Sequence, residues 1–103
     1  MGLLATLKPA AGATAALYTT PTGRSATVNL SACNTGQVEA RVRVAVGTGA
    51  TPPASGWIEY DAVLAPSGVL ERTAIALAAN ERLFVQSSTA DVCFNVWGIE
   101  EVA

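Results

Sequence analysis

The chain has 103 residues, of which 50% are apolar and only 14% charged, with a net charge of −2. That length is one domain with material for one core, and its charge falls below the roughly one-quarter share usual in soluble domains. The six cations, Lys8, Arg24, Arg41, Arg43, Arg72 and Arg82, are scattered apart from Arg41 and Arg43, so the clustered charge that phosphate backbones require is missing and no nucleic acid partner is expected.

At the N-terminus, Gly2-Leu3-Leu4-Ala5-Thr6-Leu7 is apolar but too short for a signal h-region or a membrane span. No membrane partner is expected. The segment shows no strand that would pair with it and is set off by Pro9 and Gly12. Residues 1–14 therefore read as an arm reaching a neighbouring subunit or a larger surface, with Leu3, Leu4 and Leu7 as its contacts.

From residue 15 onward, short apolar alternations are separated by Gly, Pro, Ser and Asn clusters. Ala15 to Thr19 is a first strand and Pro21-Thr22-Gly23 a turn. Ser25 to Asn34 alternates, with Ala26, Val28, Leu30 and Ala32 on one face, and Asn34-Thr35-Gly36 reads as a hairpin connection. The clearest alternation follows: Val38, Ala40, Val42, Val44 and Val46 share one face, Glu39, Arg41 and Arg43 the other. Residues 47–56 form the longest loop and lack side chains that drive burial, so they should be exposed. Trp57 to Leu64 is a strand with Ile58, Tyr60, Ala62 and Leu64 in phase. After Pro66-Ser67-Gly68, Val69 to Leu77 is a strand rather than a helix, because seven residues of Ala-rich chain are too few to hold a helix alone. Ala78 to Glu81 connects to a strand over Arg82 to Ser87, and Ser88 to Asp91 closes a last hairpin into Val92 to Glu100. The spacing predicts an all-β fold: a single antiparallel β-sandwich or jelly-roll-like domain of about seven strands over 15–103, preceded by the arm.

Little in the chain points to chemistry. Histidine is absent, which removes the commonest general base and the commonest metal ligand. Glu59 and Asp61 stand two apart on one strand face, a conceivable carboxylate pair, yet ordinary half-exposed strands carry the same pattern. Gly47-Thr48-Gly49 precedes a Pro-rich loop and not a helix, so it lacks the setting of a phosphate loop. We therefore expect no enzyme activity, no metal site and no cofactor. Cys33 and Cys93, without C-x-x-C spacing, would staple two distant strands if those strands are neighbours, or would act as small buried hydrophobes. Among the aromatics, Trp57 beside the loop is either a stacking platform or a cover for one end of the core. Phe94 and Trp97 fall on opposite faces of the last strand, so one of them points outward as an interface signal.

The run from Leu17-Tyr18-Thr19-Thr20-Pro21-Thr22-Gly23-Arg24-Ser25-Ala26 to Val28 is similar to the LYTVPAGKSA opening of small structural proteins of tailed bacteriophages. Ala32-Cys33-Asn34, Tyr60-Asp61, the Leu77 to Glu81 turn and the Val92 to Glu100 strand with its Gly98 are similar as well, so the resemblance spans residues 15–100. Thr20 and Thr22 depart from the expected Val and Ala at a turn. The resemblance implies a virion protein assembled in the host cytoplasm, either a head decoration (cement) protein or a tail or fibre component. It implies a homo-oligomer, with a trimer expected, bound to the major capsid protein or to other virion proteins, and it carries over no catalytic residue. The interface residues expected are Leu3, Leu4, Leu7, Trp57 and Trp97. A tail-tip or fibre module would instead use Trp57 and the 47–56 loop on a host receptor or glycan.

Overall fold

The computed structural model describes residues 2–102; Met1, the first residue of the expected arm, and Ala103 lie outside them. Eight strands make up the described chain: β1 (Gly2–Leu7), β2 (Ala15–Thr19), β3 (Arg24–Asn34), β4 (Ala40–Gly47), β5 (Trp57–Leu64), β6 (Val69–Leu77), β7 (Arg82–Ser87) and β8 (Val92–Val102). They form two four-stranded antiparallel sheets with orders β1-β8-β3-β6 and β2-β7-β4-β5. This interleaved order is the eight-stranded jelly roll. Only β4 and β5 are consecutive and paired; every other connection carries the chain from one sheet to the other.

That topology corrects two expectations. Asn34-Thr35-Gly36 and Ser88 to Asp91 are not hairpins, because β3 and β4, and likewise β7 and β8, lie in different sheets. Turn residues reverse the chain but do not dictate which sheet receives the next strand.

The core lies between the sheets. Val28, Leu30 and Ala32 of β3 meet Val42 and Val44 of β4, Leu83 and Val85 of β7, and Phe94 and Val96 of β8, all essentially inaccessible. Each such Val, Leu or Phe contributes about 1.5–3 kcal/mol of transfer free energy. The alternation read in β3 holds throughout. In β4 it holds for Ala40, Val42 and Val44, but Val38 precedes the strand and is 60% exposed.

The expectation that the N-terminal segment lacks a partner strand is also corrected. Residues 2–7 are β1, hydrogen-bonded along β8 with Leu3 opposite Trp97 and Leu7 opposite Phe94. A register shift between Leu3 and Ala5 breaks the alternation. Leu4, Ala5 and Leu7 all pack against the core as a result, and a bulge of this kind erases the period of two by which a strand is recognised in sequence.

Buried polar groups hold the ends of the sandwich. Asn34 is fully buried, and its Nδ2 donates to the carbonyls of Val38 at 2.8 Å and Leu64 at 3.0 Å while its Oδ1 accepts from the Gly36 N–H at 3.0 Å. One side chain thus ties the β3 exit to the β5 exit. On the opposite edge the Tyr18 hydroxyl of β2 donates to the Glu100 carboxylate of β8, joining the two sheets.

Burial first, and the adjacent Glu100 carboxylate second, push the Tyr18 phenol from 10.0 up to about 12. The native state therefore keeps this proton where the unfolded chain has lost it. The associated stability is present in full below the unfolded value of 10.0 and is lost as pH rises through about 12. Denaturant midpoints followed across this alkaline window should fall for the wild type, with a shallower fall for Tyr18→Phe. Equal slopes would show that the contact does not couple to folding.

Candidate interaction surface

The two sheets present very different outer faces. On the first, cross-strand pairing places Thr27 beside Ile99, Asn29 beside Trp97, Ser31 beside Asn95, and Cys33 beside Cys93. Along the outward residues of β3 and β8, Glu101 at the far end is the only charged side chain. The edge strands extend this surface with Leu3, 66% exposed, next to Trp97, and with Val69, 58% exposed, next to Cys33. Phe94 is buried while Trp97 is half-buried and turned outward, as the opposite-face reading of β8 required. On β6, Glu71 stands beside Ser31 on the same face, so the paired outward positions of this sheet carry two carboxylates, Glu71 and Glu101, and no cation.

The second sheet carries its charge on its outer face. β5 deviates from β4 at two register shifts, one of them between the pairs Val42–Ala62 and Val44–Glu59. Asp61 sits in this irregularity with φ 56°, in the left-handed region that few side chains other than Asn and Asp tolerate well. The extra residue turns Tyr60 outward, where it is 58% exposed, instead of inward in phase with Ile58 and Ala62. That corrects the phase expected for this strand. The Arg43 guanidinium lies 4.0 Å over the Tyr60 ring, and Trp57 meets the same ring edge-on at 5.4 Å. Arg43 also grips Asp61 in a bidentate pair, Nε to Oδ1 at 2.7 Å and Nη2 to Oδ2 at 3.2 Å. This hydrogen bonding holds the Asp61 carboxyl below its ordinary value and fixes the fork geometry in which Arg is strongest.

The conceivable Glu59–Asp61 carboxylate pair is therefore split. Asp61 belongs to Arg43, and Glu59 to Arg72 of β6 at 2.8 Å, a contact that bridges the two sheets. The 47–56 loop is largely exposed, as expected, but Pro53 packs at Gly47 close to the Phe84 ring, which is 1% exposed on this outer side. No group of three or more His, Cys, Asp or Glu suited to a metal occurs among the described residues.

Of the five expected interface residues, Leu3 and Trp97 stand together on the outer face of the first sheet, while Leu4 and Leu7 turn toward the core. Trp57, opposite Ala45 on β4, belongs to the outer face of the second sheet and is not near Trp97. Sequence reasoning missed the Arg43–Tyr60–Asp61 group, because an even alternation over Trp57 to Leu64 hides the bulge that assembles it.

No family model matches the sequence, and no curated protein matches it. Among solved structures, a pentameric capsid protein isolated from metagenomic phage sequences aligns with 95% of this chain at 20% identity and a TM-score of 0.42. The chain spans 64% of that protein's length.

Proposed function

We propose that the protein is a structural component of a tailed-bacteriophage particle: a capsid decoration protein that packs against copies of itself, as a trimer, and against the major capsid protein, without catalysing a reaction. The observation that carries this reading is the low-charge outer face of β1-β8-β3-β6, where Leu3, Trp97, Ile99 and Val69 are set among Ser, Thr and Asn and the charged residues at paired outward positions are Glu71 and Glu101. The cores of protein interfaces are depleted of charge and enriched in aromatics, whereas an isolated domain has no use for such a face. The phage-like motifs over residues 15–100 support the same assignment.

Copy number in purified particles tests it directly, since decoration requires a fixed multiple of the capsomer number. Trp97→Lys places a charge at the centre of the face without entering the core. It should keep a cooperative melt at a cost of about 1–2 kcal/mol for the covered part of the indole, while abolishing self-association in light scattering and binding to particles. Undiminished association would remove this face from the assignment.

The second reading, a tail module binding a receptor or glycan, draws on the exposed Tyr60 ring framed by Trp57 and Arg43. A handful of copies per particle, with adsorption lost in Tyr60→Ala, would favour it.

A further inference from the structure

Cys33 and Cys93 are both free and half-buried, and they stand directly opposite one another on β3 and β8, facing outward. Hydrogen bonding at the end of this strand pair identifies the type of site. The Thr35 N–H donates to the Asp91 carbonyl at 2.9 Å, whereas the N–H and C=O of Asn34 turn away to Gly68 and Ser67. Paired residues alternate between hydrogen-bonded and non-hydrogen-bonded positions in an antiparallel ladder. Counting back two residues from Thr35, Cys33 and Cys93 occupy a hydrogen-bonded pair.

Such pairs have Cα atoms about 5.5 Å apart, inside the window of roughly 4.4–6.8 Å that a disulfide spans. Their Cβ atoms lie farther apart than at non-hydrogen-bonded positions, so closing the bond draws the two strands slightly out of shape. Strained and accessible disulfides are the readily reduced ones. Access is provided by an open hollow of about 490 Å3, lined by Thr6, Leu7, Lys8, Cys93, Phe94 and Asn95.

We propose that Cys33 and Cys93 form a reversible cross-strand disulfide, made and broken by exchange with a small-molecule disulfide such as oxidised glutathione. Cys93, which lines the hollow, attacks first: its thiolate displaces one glutathione thiolate and leaves a mixed disulfide on Cys93. The Cys33 thiolate then attacks the Cys93 sulfur and expels the second glutathione. Two cysteine thiols are oxidised, one small disulfide is reduced to two thiols, and the protons of the cysteines pass to the departing thiolates. The bond joins the two central strands of the first sheet and closes a long chain segment, which favours the native state by restricting the unfolded one.

Incubation of the folded protein with oxidised glutathione, followed by alkylation and intact mass measurement, tests this. The expected product has lost two hydrogens, takes up no alkylating reagent, melts several degrees higher, and returns to two free thiols in reduced glutathione without denaturant. Cys33→Ser should stop at a glutathionylated Cys93, and Cys93→Ser should remain unmodified at Cys33. Two alkylatable thiols after oxidation, disulfide-linked dimers, or a glutathionyl group that persists on the wild type would each overturn the proposal. So would a disulfide that resists reduced glutathione in the folded state.

Discussion

Val42→Asp should abolish soluble folding. Val42 is fully buried at the centre of β4, opposite Ala62 on one side and Ser87 on the other, with no cation in the core cluster to receive a carboxylate. An uncompensated buried charge costs about 3–5 kcal/mol, and the lost valine packing adds to it. A domain of this size has about 5–15 kcal/mol in total. The expected result is insoluble protein, or a chain without a cooperative melt. Two companions keep the experiment decisive if nothing can be purified. Val42→Thr retains the shape and should fold with a reduced melting temperature. Val38→Asp belongs to the same apparent row of valines, yet it should be nearly neutral because Val38 is 60% exposed. A cooperatively folded Val42→Asp, or a collapse in Val38→Asp, would put the wrong residues in the core.

The second large effect is expected at Gly98, which lies opposite Val28 of β3. A Cβ built there would lie 2.2 Å from the Thr27 carbonyl oxygen and 2.8 Å from the Val28 Cα. Both are backbone atoms of a central strand, so no side chain can swing away to relieve the clash. The φ of 156° adds further strain for any L-residue. Gly98→Ala should therefore cost about 3 kcal/mol or more, the range of core overpacking combined with backbone strain. Gly12→Ala is the control. Gly12 also has a positive φ, 74°, but nothing within 4 Å of a new Cβ, so it should cost only the conformational penalty of about 1–2 kcal/mol. Chemical denaturation of the two variants measures the difference. Equal losses would mean that strand approach at Gly98 is unimportant and that φ alone matters.

These two positions differ in how well the sequence foretold them. Val42 and Val44 stand out in any reading of period two, because Arg41 and Arg43 alternate with them. Gly98 is merely a glycine within a strand pattern; its close contact exists only once β3 is laid beside β8. Phe94 and Trp97 belong to the first kind, since opposite faces follow from an odd separation along one strand. Tyr60 and Leu4 belong to the second, displaced from their apparent faces by register shifts.

Local alternation and turn chemistry by themselves determined the strand class, most strand limits, the inward rows of β3 and of Ala40 to Val44 in β4, and the opposite faces of Phe94 and Trp97 in β8, because side-chain direction in a strand depends only on parity within that strand. They also determined the low overall charge, which leaves two carboxylates at the paired outward positions of the first sheet. Tertiary structure decided the rest: which sheet receives each strand, the conversion of residues 2–7 from an arm into β1, the division of Glu59 and Asp61 between two arginines, and the meeting of Cys33 with Cys93. Each of these depends on partners far apart in sequence. A turn reverses the chain without choosing its next neighbour, and one bulged residue reassigns every side chain beyond it to the other face.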